Sequence, residues 1–154
     1  MSPSATTQIA TENDLEKLLE LYTHLSPEEP PCALTTARAS FDTFLRYPGS
    51  AIVLGKIDDM LVSSCAVIII PNLTRAGTPY ALIENVVTHA GFRRRGLARK
   101  VLEAATQRAW DHGCYKVMLL AGAQSSGVLS FYESCGFEQS KTGFQKRRIP
   151  ARPG

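Results

Sequence analysis

Residues 92–102 read FRRRGLARKVL: three consecutive arginines meet a lone glycine, and a strong helix-forming sequence starts at once. Those residue types in that order suit phosphate. The first N–H groups of a helix have no intrahelical partner and lie at the positive end of its dipole. An anion seats there directly, and guanidinium groups beside it strengthen the hold. At Gly96 the missing Cβ lets a bulky anion come close to the backbone. The run YALIENVVTH ends shortly before, so strand, loop and helix follow one another.

Three uses of this segment compete. As a Walker loop it has Gly91 and Gly96 at the right spacing, but Leu97 stands where the lysine belongs, and G-x-G-x-x-G is absent. Nucleoside triphosphates and nicotinamide cofactors are therefore not supported. As a nucleic-acid patch it would use Arg93–Arg95, with help from the basic tail QKRRIPARPG. A net charge of +3 over 154 residues is small for a polyanion binder, so no nucleic-acid partner is expected. An isolated RRR is also commonly a solvated basic turn.

A second candidate is Glu84, a carboxylate inside the apolar strand. Such a group is unusual unless paired or used, and burial raises a carboxylate's pKa toward that of a working base. Strand alternation predicts Glu84 and Val86 on one face, Asn85 and Val87 on the other. An ion pair with Arg75 in the preceding loop is an equally good account of the carboxylate. His89, at the strand's exit, is the next candidate base.

The elements that must position these residues are legible in outline. TENDLEKLLELYTHL spaces Leu15, Leu18, Leu19 and Tyr22 as a helix, with Thr11 and Asp14 as its cap. The prolines of SPEEPP break it, and Thr35–Tyr47 forms a second helix. SAIVLGKI and MLVSSCAVIII are strands joined at Asp58-Asp59. YALIENVVTH is a third strand, and RGLARKVLEAATQRAWDHG a long helix stopped at Gly113. CYKVMLLAG reads as a short buried strand. A helix started by Ser125 or Ser126 and stopped by Gly136 follows, and FEQSKTGFQKRRI supplies one or two final strands. Strands on both sides of a helix imply an α/β (α+β) mixed sheet with helices on its faces.

The remaining features exclude more than they assign. The longest apolar run, Cys65–Ile70, is far short of a bilayer span, and MSPSATTQIA lacks a signal peptide's regions. Cys32, Cys65, Cys114 and Cys135 show no C-x-x-C pairing, so a reduced, cytoplasmic protein with no metal is expected. No repeat or linker divides the chain, which predicts a single domain over 1–154 with a partly disordered basic tail at about 146–154.

RRRGLA (Arg93–Ala98) fits [QR]-x-x-G-x-[GA], and SFYESCGF (Ser130–Phe137) fits a recurrent F-Y-E-x-x-G-F about thirty residues on. The two segments in register, between a central strand and a long helix, resemble the GNAT superfamily of acetyl-CoA-dependent N-acetyltransferases. The resemblance implies a central mixed sheet of about six or seven strands flanked by about four helices. It implies acetyl-CoA as co-substrate, with its pyrophosphate on the backbone amides of Arg94, Arg95, Gly96, Leu97, Ala98 and Arg99. The side chains of Arg93, Arg94, Arg95 and Arg99 would meet the 3′-phosphate or solvent, and the main chain of Val86, Val87 and Thr88 would bond the pantetheine arm.

Tyr132 matches the family tyrosine that protonates the departing thiolate; a phenol stays protonated at neutral pH. Its plain alternative is packing against Phe131 and Phe137. Glu84 matches the glutamate that many members use as base, often through water. Ala90 stands where many relatives have proline, and Ser125 where they often have an asparagine that contacts the coenzyme. The acceptor is expected to be a small amine-bearing metabolite or amino acid derivative, attacking directly without a cysteine acyl-enzyme. One wall of its cleft would come from the early helices and SPEEPPCALTT, the other from PNLTRAGTPYALIE. A homodimer is compatible with the resemblance. A non-catalytic acyl-CoA sensor or interaction module on the same fold is the rival function.

Overall fold

The structure, a computed structural model, describes residues 4–122 and 126–151. It comprises two compact units, Met1–Leu119 and Leu120–Gly154. The first unit carries five strands: β1 (Ala5–Ile9), β2 (Ala51–Ile57), β3 (Met60–Ile70), β4 (Tyr80–Thr88) and β5 (Val117–Met118). They lie in the order β1-β2-β3-β4-β5, antiparallel up to β4, with β5 parallel to β4. Three helices accompany them: α1 (Leu15–Tyr22), α2 (Leu34–Phe44) and α3 (Leu97–Asp111). The second unit contributes α4 (Ser126–Ser134).

Each face of the sheet is covered because its residues alternate. Leu54, Leu61 and Val87 form one core with Leu15, Leu18 and Leu21 of α1 and Phe41 of α2. The cap expected at Thr11 is present: its N–H donates to Asp14 Oδ2 at 2.8 Å. The opposite face takes α3, whose Val101, Leu102, Ala105 and Ala109 are buried. At Gly55 the helix comes so close that a Cβ would lie 3.0 Å from a Val101 methyl. Arg108 fixes the far end of α3 by donating from Nε to the Gly49 carbonyl at 2.7 Å.

Three expectations need correction. β1 is an additional strand; only its first residue is half-buried, so it lacks the apolar alternation that announces strands. The buried strand expected at 114–122 shrinks to Val117 and Met118, neither of them buried, because β5 is an edge strand with one partner. No strand follows it among the described residues. Phe144 and Ile149 are 90% and 78% exposed, so the final segment buries nothing that would hold a ladder. Among the described residues the sheet therefore has five strands rather than six or seven.

Candidate functional site

β4 is the first component, and it is bent. Ser64 pairs with Val87 and Ala66 with Glu84, so three steps along β4 match two along β3. This is a β-bulge at Asn85 and Val86, with Asn85 at φ 54°. Residues paired across strands share a face. Ala66 also pairs with Ile52, which packs on the α1–α2 core, so Glu84 lies on that face together with Val87. The alternation expected from sequence fails here, since it put Glu84 and Val87 on opposite faces. Glu84 is exposed, and no ion pair joins it to Arg75; that guanidinium lies 4.9 Å above the Tyr115 ring instead.

The second component is an open strand edge. β5 pairs with β4 only at Ala81 and Leu82, so among the described residues no strand pairs with the β5-side edge of β4 from Ile83 onward. Val86 and Thr88 lie on this stretch; Val87, the third residue expected to bond an extended ligand, accepts a hydrogen bond on its carbonyl from Ser63 Oγ of β3 at 3.0 Å. Such an edge presents alternating N–H and C=O groups to any added strand.

The third component is the head of α3. After a short 3-10 turn at Ala90–Phe92, Arg94 takes φ 64° and Gly96 φ 76°, and the helix begins at Leu97. Its first intrahelical bond runs from Lys100 N–H to the Gly96 carbonyl at 3.2 Å. The N–H groups of Arg94, Arg95, Gly96, Leu97 and Ala98 reach no backbone acceptor among the described residues. Nothing lies within 4 Å of the position a Gly96 Cβ would take. A cluster of main-chain donors thus faces open space, which fits a diphosphate.

The arginines of this loop are not equivalent. Arg93 Nη2 donates to the His24 carbonyl at 3.4 Å, tying the loop to the end of α1. Arg95 lies 5.1 Å above the Phe92 ring. Arg94 projects from the left-handed turn and is exposed, while Arg99 sits half-buried in the first turn of the helix. Sequence reasoning gives all four to phosphate or solvent and misses the structural use of Arg93.

It also misses that His89, named only as a candidate base, pairs with His24. His24 and His89 stack with ring centroids 4.1 Å apart. His24 Nδ1 accepts from Ala90 N–H at 3.2 Å, and His89 Nδ1 from Gly91 N–H at 3.0 Å. Burial first, then His89 and Arg93, hold the His24 pKa below the ordinary histidine value. Each ring thus accepts a backbone N–H on the path into the α3 loop. In sequence His24 is only a polar residue at the end of a helix.

The fourth component is a cavity of about 230 Å³ between α1, the loop after it and Asn85. Leu19, Tyr22, Leu25 and Pro30 line it, with Glu29 and the Asn85 amide. Burial pushes the Tyr22 phenol up to about 12, so it stays protonated. Residues of the first helix and of SPEEPPCALTT line this cavity, and none of PNLTRAGTPYALIE does.

Tyr132 belongs to the second unit, on α4. It is half-buried, with its ring edge-on to Phe131 at 5.2 Å and to Phe137 at 6.1 Å. Gly136, at φ 91°, ends the helix and lets Phe137 N–H return to the Tyr132 carbonyl at 3.1 Å. Ser125, the expected coenzyme contact, lies outside the described residues. Cys65 is a buried thiol pushed up to about 12, bonded to the Val101 carbonyl, and unsuited to nucleophilic work. Among the described residues no three His, Cys, Asp or Glu side chains gather as a metal site, and no helix is long and apolar enough to cross a membrane.

Comparison with known proteins gives a consistent picture. The acetyltransferase (GNAT) family model matches residues 15–137. The glucosamine 6-phosphate N-acetyltransferase of Trypanosoma brucei brucei is 31% identical over 132 residues, which are 84% of this chain and 86% of that protein. Glucosamine 6-phosphate N-acetyltransferase 1 of Oryza sativa subsp. japonica is 31% identical over 122 residues, 77% of this chain and 72% of that one. A solved structure from Agrobacterium tumefaciens str. C58, named as an acetyltransferase without a stated acceptor, superposes with a TM-score of 0.88. It is 45% identical and covers 93% of this chain and 99% of its own.

Proposed function

Because the chain belongs to the acetyltransferase (GNAT) family and is on that ground an N-acetyltransferase, we propose that residues 1–154 act as one domain moving an acetyl group from acetyl-CoA to the primary amine of a small molecule. The observation that carries this is the row of main-chain donors from Arg94 to Ala98 that reach no backbone acceptor among the described residues, beside a stretch of β4 that β5 does not cover. Acetyl-CoA supplies an activated acyl group on a thiol leaving group. The donors at the head of α3, with Arg99, hold the diphosphate, Arg93–Arg95 and Arg99 offer charge to the 3′-phosphate, and Val86, Val87 and Thr88 align the arm by strand-type bonds. Ser125 is a further contact.

Glu84 takes a proton from the acceptor's ammonium group, directly or through one water, so that the amine attacks. Tyr132 gives its phenolic proton to the thiolate as the carbon–sulfur bond breaks. The names of the two curated relatives make glucosamine 6-phosphate the first acceptor to assay.

The test couples calorimetry with acetyl-CoA to thiol-release turnover on a panel of amines, with product mass detection. Micromolar binding with an N-acetylated product is expected. Binding without turnover on any amine would return the sensor function, and no binding of acetyl-CoA or CoA would end the proposal. Glu84→Gln should lower kcat at neutral pH by roughly ten- to a hundredfold, with the loss shrinking as pH rises and the amine deprotonates unaided.

A further inference from the structure

The charge of the cavity beside α1 narrows the acceptor class, on the premise that this cavity receives the amine of the acetyl transfer proposed above. Asn85 connects it to the reaction strand: this residue forms the bulge of β4 and lines the cavity, and Val86 and Thr88 follow on the stretch that β5 does not cover. Among the described residues, Glu29 is the one charged side chain in the lining. No lysine or arginine contributes; Arg93, which reaches α1, is turned to the His24 carbonyl. The rest of the surface is apolar or neutral, with the Tyr22 ring and the leucines Leu19 and Leu25 as its body.

We propose that this cavity selects a primary amine on an apolar or aromatic body that carries no anionic group, with Glu29 as the counter-charge for the ammonium. A carboxylate and an aromatic face are the two groups that hold a cation in a partly open site. A phosphate or carboxylate on the acceptor would lose hydration here and meet Glu29 with no cation to offset it. At about 230 Å³ the space is at the small end of ligand cavities, which suits a single ring with a short arm. Tyr22 strengthens the selection because burial keeps its phenol neutral, so the wall gains no second negative charge.

The experiment uses two pairs of amines, each differing by one anionic group: phenethylamine against phenylalanine, and glucosamine against glucosamine 6-phosphate. Wild type and Glu29→Gln are assayed by thiol release with product mass, and phenethylamine is titrated calorimetrically onto the CoA-saturated protein. Within each pair the member without the anion should have the higher kcat/KM, by about tenfold or more. Glu29→Gln should raise KM for phenethylamine roughly fivefold, as expected for a partly exposed ion pair, leaving kcat and KM for acetyl-CoA unchanged.

Preference for phenylalanine or glucosamine 6-phosphate, or indifference to Glu29→Gln, overturns the inference while acetyl transfer stands. If no amine is turned over, calorimetry decides separately. Binding of phenethylamine that Glu29→Gln weakens keeps the cavity assignment and rejects acetyl transfer; no binding rejects both.

Discussion

The head of α3 and the cavity beside α1 would recognise the proposed ligands by opposite means. At α3 the contacts are main-chain N–H groups from Arg94 to Ala98, made available by a left-handed glycine and the start of a helix. Beside α1 they are side chains, chiefly Glu29, Tyr22 and Asn85, gathered from a helix, a proline-rich loop and a strand bulge. Main-chain recognition constrains backbone shape, and only certain residues at certain spacings give that shape. Side-chain recognition on a loop leaves the backbone free and the residue types open. A chain of this kind thus advertises its coenzyme and conceals its acceptor.

The sharpest way to break the contrast is to remove the glycine. Gly96 sits at φ 76° with nothing within 4 Å of its Cβ position. A valine there is not crowded by protein, but a left-handed β-branched residue costs about 1–2 kcal/mol, and its side chain enters the space kept for the anion. Gly96→Val is expected to weaken acetyl-CoA about a hundredfold by calorimetry, with the far-ultraviolet circular dichroism retained. Gly96→Ala should fall between the two. Equal affinity in all three would mean that the donors at α3 hold no diphosphate.

Tyr132→Phe is the next largest expected effect. Phenylalanine keeps the edge contacts with Phe131 and Phe137 and removes only the hydroxyl. As proton donor, Tyr132 predicts a kcat loss of about a hundredfold with KM for acetyl-CoA unchanged. As a packing residue alone it predicts normal turnover. The two outcomes separate cleanly because the ring stays in place.

How much of this was legible follows the same division. The anion loop, the flanking strand and the long helix were readable because Gly96, the arginines and the apolar stripe of α3 each carry a local signal. The bulge at Asn85 was not, and it misplaced Glu84. An inserted residue changes which face every later side chain takes, and only the register against β3 reveals it. β1 escaped because an exposed edge strand needs no apolar alternation, and nothing in FEQSKTGFQKRRI says whether the expected final strands would find a partner. The structural use of Arg93 stayed hidden because a hydrogen bond to His24, 69 positions away, leaves no trace in either neighbourhood.

The histidine pair offers the finest test, since it joins the end of α1 near the cavity to the entrance of the α3 loop. His24 Nδ1 accepts the Ala90 N–H, so protonating it at that nitrogen breaks this bond. With the folded-state pKa of His24 depressed, the unfolded chain binds the proton more readily. The stabilisation is therefore complete above the ordinary histidine value of about 6.5 and is lost as pH falls through the lower folded value. His24→Asn supplies an acceptor that takes up no proton. Its melting temperature should decline less steeply than wild type between pH 7 and pH 5, with a difference on the order of a degree. Acetyl-CoA affinity should lose its acid sensitivity in the same variant. Parallel profiles for the two proteins would show that this stacked pair is merely a surface contact and that the loop is held in place by other means.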